Sequence, residues 1–162
     1  TTPKEIIPAV IAGIENWNIA FEEAGFINAV VAKIQPEDAE WDAADYDYNV
    51  VRWSSEPDGN LLGIGPSVSN PLTGEIISAD VVNKLLAIKL GYNYRKLYGY
   101  TEDNDPLMQY ITNLTLHEVG HVLGLRHNFR GSYLYSPDEI HDKNITGNVL
   151  MSSVMDLSLI HI

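Results

Sequence analysis

The stretch that decides the fold runs from residue 117 to residue 127 and reads HEVGHVLGLRH. On a helix, His117 and His121 are four residues apart, so both imidazoles project from one face. Gly124 can adopt the left-handed conformation that ends a helix and turns the chain. That turn would bring His127 back to the same point. Three imidazoles that converge in this way suit a tetrahedral zinc ion that keeps one position open.

Glu118 indicates what such a site would do. It follows the first histidine, so its carboxylate can reach a water at the open position without binding the metal itself. A base beside an open position is the arrangement of a catalytic zinc site, whereas a structural site fills all four positions with protein ligands. The alternative is a helix end with three histidines in ordinary hydrogen bonds. Because the long motif fixes five positions, we favour the metal site.

Composition limits the classes of partner. The chain has 162 residues, of which 45% are apolar and 20% charged, as in a single globular domain. A net charge of −12 argues against binding nucleic acid or anionic membranes, because both recruit basic patches. No apolar run approaches the roughly 20 residues that span a bilayer, so we expect no membrane insertion. There is no cysteine, which excludes a disulfide framework and a thiolate zinc ligand. No signal peptide opens the chain, and we expect a domain cut from a longer precursor.

Hydrophobic periodicity predicts a mixture of helices and strands. Apolar residues recur at three- and four-residue intervals over residues 3–24, which favours an amphipathic helix. Residues 83–97 also have helical character. Asp105 and Pro106 predict the start of a helix that runs to Leu123, with an acidic N-cap and proline at the first helical position. Four strands are predicted, at residues 29–32, 49–53, 61–65 and 75–82.

The third of these strands is short and carries two glycines. Glycine weakens a strand but permits close approach of another backbone. At a sheet edge such a strand could pair with an extended peptide, and the alternative is a plain edge strand protected by Pro66. The candidate substrate contacts are therefore Leu61, Leu62, Gly63, Ile64 and Gly65.

Two other acidic parts of the sequence are alternative sources of metal ligands. Residues 37–47 form an acidic loop whose simplest interpretation is a solvated surface; Ca²⁺ is possible there but nothing else in the sequence supports it. Glu139 lies eighteen residues beyond His121, near the spacing at which the gluzincin peptidases supply a glutamate as third ligand. Three-ligand sites of either kind are chemically sound. The Gly124 and His127 pair favours the histidine.

The long motif resembles that of the metzincin metallopeptidases. Residues 152–156 read SSVMD and are similar to the Met-turn of that group, in which a methionine forms a hydrophobic floor under the zinc histidines. Met155 is the match and Met151 the alternative. The resemblance extends over nearly the whole chain to one matrixin-related branch, the EcxA-like bacterial zinc-binding domain, through residues 16–26, 48–53, 65–68, 73–76 and 125–129.

This resemblance implies a metzincin-like α+β fold in a single domain of residues 1–162. Residues 1–124 would hold a twisted mixed sheet with a backing helix and the active-site helix, and residues 125–162 a small irregular C-terminal subdomain. It further implies a zinc-dependent endopeptidase in which Glu118 is the general base for a zinc-activated water. One Zn²⁺ ion and a peptide or protein substrate are the expected partners of a monomer. The location implied is extracellular, periplasmic or at the cell surface of a Gram-negative bacterium.

Two departures from the family pattern bear on the cleft. Leu157 stands where astacins and serralysins carry a tyrosine that can act as a fifth ligand, so a tyrosine switch is not expected. The chain ends seven residues after Met155, which predicts a domain truncated after the Met-turn. The rival hypothesis is a non-catalytic zinc-binding interaction module of a larger bacterial surface protein. Glu118 argues against it, since a structural site needs no base.

Overall fold

The computed structural model describes residues 2–55, 62–101, 105–147, 149 and 151–157. The predicted contact Leu61 lies outside the described residues. Within them the helices are α1 (Ile7–Glu15), α2 (Trp17–Glu23), α3 (Leu85–Tyr98), α4 (Pro106–Val122) and α5 (Lys143–Thr146). The strands are β1 (Val50–Ser54), β2 (Gly63–Ile64), β3 (Ser67–Ser69) and β4 (Ile76–Lys84).

The strands form a mixed sheet around β4. On one side β1 pairs parallel with β4, with Val50 opposite Asp80. On the other side β2 and then β3 pair antiparallel with β4, so together they make one interrupted edge strand. Alternate residues of β4 are buried, as expected for a strand with one face against a helical layer. The α+β class predicted from the sequence is confirmed.

The core lies between this sheet and three helices. One stripe of α4, made of Leu107, Ile111 and Leu114, has no exposed surface, and its spacing of three and four residues places these side chains on one helical face. Helix α3 approaches closely at Gly91, where an added Cβ would lie 3.2 Å from the Cα of Leu107. This contact explains a glycine inside a helix that would otherwise be weakened by it.

Both ends of α4 are formed by local chemistry. The Asp105 carboxylate accepts a hydrogen bond from the Leu107 N–H at 3.0 Å and caps the helix. The same carboxylate receives two bonds from Arg95, at 2.7 and 2.6 Å, which ties α3 to α4. The Arg95 guanidinium holds the pKa of Asp105 below its ordinary value. At the other end Gly124 has a φ of +90°, the left-handed conformation that the sequence predicted.

Two predictions about the first fifty residues need correction. The long helix breaks at Asn16 into α1 and α2. The stretch 29–32 is not a strand. Its backbone groups bind side chains instead: Asn18 makes two hydrogen bonds with Val30, and Glu15 accepts one from the Ala32 N–H. This segment and β1 are not paired as strands, and both line a cavity of about 850 Å³.

Candidate metal centre and cleft

Three histidines converge at the C-terminal end of α4. His117 and His121 lie one turn apart on the helix, and the turn at Gly124 returns the chain so that His127 faces them. One ligand atom from each lies within 4.8 Å of the others. The Nε2 atoms of His121 and His127 are 3.1 Å apart, close to the separation of about 3.3 Å that two bonds of about 2.0–2.1 Å make at a tetrahedral zinc.

The hydrogen bonds of the histidines prepare them to bind a metal. Nδ1 of His117 lies 2.8 Å from the carbonyl oxygen of Val154, and Nδ1 of His121 lies 3.0 Å from that of Leu125. A carbonyl only accepts, so each Nδ1 carries the proton and donates it. Each Nε2 is then left with a lone pair, as a metal ligand requires. Neutral nitrogen donors oriented in this way fit a zinc ion.

Met155 packs beneath the helix that carries these ligands. Its side chain is 3% exposed and contacts Gly120, where an added Cβ would meet the sulfur. The same added Cβ on Gly120 would also lie 3.0 Å from the Cζ2 atom of Trp17. Glycine is therefore required between the two histidines of α4. The methionine in this position is Met155, and not the alternative Met151.

Glu118 is buried against the edge strand. Glu118 is 5% exposed. A Cβ atom added to Gly63 would lie 2.8 Å from the Oε1 atom of Glu118. At Gly65 an added Cβ would collide with the backbone carbonyl of Glu118. The two glycines thus let the edge strand cross directly over the helix. Burial raises the pKa of Glu118 to about 7, a rise that a positive charge on the nearby His121 would oppose.

The histidines and Glu118 open into a cleft of about 510 Å³. Four of the five predicted substrate contacts line it, and Ile64 is 44% exposed. Leu157 lines it as well. The full lining consists of Leu62, Gly63, Ile64, Gly65, Pro66, Ser67, His117, Glu118, His121, His127 and Leu157.

The alternative metal ligands do not join the site. The Glu139 carboxylate accepts bonds from the N–H and hydroxyl of Ser136, at 2.9 and 2.7 Å, and is exposed. The glutamate hypothesis is therefore wrong, because this side chain completes a local turn. In the described part of the chain the three histidines are the only group of three donors close enough for one ion. The acidic loop at 37–47 brings no such group together.

Several contributors to the site were not predicted from the sequence. The carbonyls of Val154 and Leu125 carry no sequence signal, because any residue supplies a backbone carbonyl. Asp156 is 2% exposed and bound to the loop that follows His127. The sequence signal that could have identified Asp156 is its position directly after Met155, the methionine of the predicted Met-turn.

Comparison with known proteins supports the metal centre. A family model described as Met-zincin matches residues 100–162, which contain the three histidines, Glu118 and Met155. No curated protein and no solved structure matches the chain. Among the helices of the described residues, none combines the length and apolar character needed to span a bilayer. The EcxA-like branch and the bacterial, extracellular origin stay predictions. The family match and the three-histidine group together support a metzincin-like domain in this chain, with three histidines that could hold a metal ion.

Proposed function

We propose that the chain is a zinc-dependent endopeptidase that hydrolyses peptide bonds. One observation carries the proposal: the buried Glu118 carboxylate lies beside the three-histidine group, within a cleft bordered by an edge strand. A site that only stabilised the fold would not need a carboxylate at this position, because a structural zinc fills its coordination with protein ligands.

The role assigned to Glu118 is general acid and base. When bound, a zinc ion would supply Lewis-acid polarisation of the scissile carbonyl and lower the pKa of a water. Glu118 would take the proton of the attacking water and deliver it to the leaving amine. In the metal-free chain burial raises the pKa of Glu118 to about 7. Such a rise toward neutrality suits this role, because proton transfer is most efficient when the pKa of the group is close to the working pH.

The edge strand offers a binding mode for the substrate. Strand β2 pairs with β4 on one side, and within the described residues no strand covers its other side. An extended peptide can add there through backbone hydrogen bonds. Its scissile bond would then lie over Glu118, because Gly63 of this strand contacts that carboxylate.

Replacement of Glu118 by glutamine tests the proposal. Glutamine keeps the shape but cannot take a proton, so kcat/KM for a peptide should fall by about 10²–10⁴-fold while zinc affinity stays close to that of the wild type. The zinc-loaded chain, the variant and a chelated sample are each incubated with a peptide library, and the products are identified by mass spectrometry.

Glu139→Gln is the matched control, because it removes an exposed carboxylate that does not line the cleft. It should cleave as the wild type does. Equal cleavage by Glu118→Gln would show that the assigned base is wrong. A wild-type chain that binds zinc but cleaves no peptide would favour the interaction module instead.

A further inference from the structure

Asp156 is a buried carboxylate outside the group of metal ligands. It is 2% exposed, and a carboxylate is seldom buried unless its oxygens are bound. The Ser132 hydroxyl donates to its Oδ2 atom at 2.6 Å, a length typical of a hydrogen bond to an ionised acceptor. The backbone also approaches the Oδ2 atom of Asp156 at Gly131, where an added Cβ would lie 2.8 Å from that oxygen.

Ser132 lies at the end of the segment that carries the third histidine, residues 125–132, which we call the histidine loop. Apolar burial does little to hold this loop, since Leu125 is 44% exposed and Phe129 is 64% exposed. His127 itself is exposed. Its position must therefore be fixed in large part by polar contacts.

Three of the contacts of the histidine loop run to the segment around Met155. The Asn128 N–H donates to the carbonyl of Met155 at 2.9 Å, and the Ser152 N–H donates to the carbonyl of Gly131 at 3.0 Å. The bond from Ser132 to Asp156 is the one among them made by two side chains. A substitution can therefore remove it without breaking the backbone contacts.

We infer that Asp156 is a positioning residue for the metal centre, which acts through Ser132 to hold the histidine loop and so His127. The inference rests on the proposed zinc site. The same segment also receives the bond from His117 to Val154. One short turn thus orients one ligand on the helix and one ligand on the loop.

Removal of the Ser132 hydroxyl tests the inference. Ser132→Ala should weaken zinc binding by about 10–100-fold, the usual effect of losing a group that orients a metal ligand. Ser132→Thr restores the hydroxyl and should return the affinity toward that of the wild type. Asp156→Asn removes the charge and should also weaken binding. Affinity is measured by competition with a chelator well below the unfolding temperature, and Co²⁺ absorption spectra report the ligand geometry.

Asp105→Asn is the matched control, because it removes a carboxylate that is hydrogen-bonded but remote from the cleft. It should lower the unfolding temperature and leave zinc affinity and the Co²⁺ spectrum unchanged. Wild-type affinity in both Ser132→Ala and Asp156→Asn would overturn the inference. So would an affinity loss no larger than that of Asp105→Asn, since general destabilisation would then explain it. A wild-type chain that binds no zinc would overturn the proposed function as well.

Discussion

Helix α4 and the histidine loop supply histidines to one candidate metal site but are held in different ways. The helix is fixed by burial, with Leu107, Ile111 and Leu114 fully enclosed. The loop is fixed by hydrogen bonds to the end of α4 and to the segment around Met155, and its apolar side chains are exposed. The positions of His117 and His121 are thus set by burial of the helix, while the position of His127 depends on a polar network. Metal binding would join the two regions, because its free energy adds to that of folding.

The largest difference between α4 and the histidine loop should appear in the free energy of unfolding when an apolar side chain is truncated to alanine. Leu114→Ala removes a side chain with no exposed surface and should lower the free energy of unfolding by about 2–5 kcal/mol. Leu125→Ala truncates a side chain of the histidine loop that is 44% exposed, and should change the free energy of unfolding by no more than about 1 kcal/mol. Urea unfolding of the metal-free chain, followed by circular dichroism, measures both. Similar losses would contradict the distinction between the two regions.

A smaller difference is expected between Glu118, on α4, and Glu139 in the pH dependence of stability. Because burial raises the pKa of Glu118 from 4.5 to about 7, the folded chain retains a proton that the unfolded chain releases. Stability should therefore fall as the pH rises from 4.5 to 7 and stay level above it. In the metal-free state Glu118→Gln should equal the wild type at pH 4 and be more stable by roughly 1–3 kcal/mol at pH 8.

Glu139 should behave in the opposite sense. Its bonds from Ser136 lower its pKa, so its ionised form is the one favoured by folding. Glu139→Gln should give no gain in stability at pH 8. Chemical denaturation of both variants at the two pH values makes this comparison. A gain in stability at pH 8 for Glu139→Gln, or no such gain for Glu118→Gln, would contradict the account. It would show that burial does not cause the difference in pH dependence between the two carboxyls.

The sequence predicted well the features that depend on neighbouring residues. The cap at Asp105 and the left-handed turn at Gly124 are local, and both are confirmed. The spacing of His117 and His121 predicted two ligands of the metal group, because helix geometry converts that spacing directly into position. The turn at Gly124 then predicted the return of His127. The glycines of the edge strand also gave a correct expectation of close approach, with Glu118 as the group that approaches.

Features that depend on distant partners could not be predicted in this way. The strand expected at 29–32 is absent because Asn18 and Glu15 bind its backbone groups. Apolar residues alone do not show which partners a backbone will find. Likewise nothing in the sequence assigns Ser132 to Asp156, since the bond spans twenty-four residues. The loop half of the site was therefore the less predictable half.

The central claim is that two helical histidines and one loop histidine bind a single zinc ion. Zinc K-edge X-ray absorption on the zinc-loaded chain tests it most directly, with His127→Ala measured beside it. We expect one zinc per chain with three imidazoles and one further light ligand in the wild type, and two imidazoles in the variant. An imidazole count of two in the wild type, or a spectrum that His127→Ala leaves unchanged, would contradict the claim.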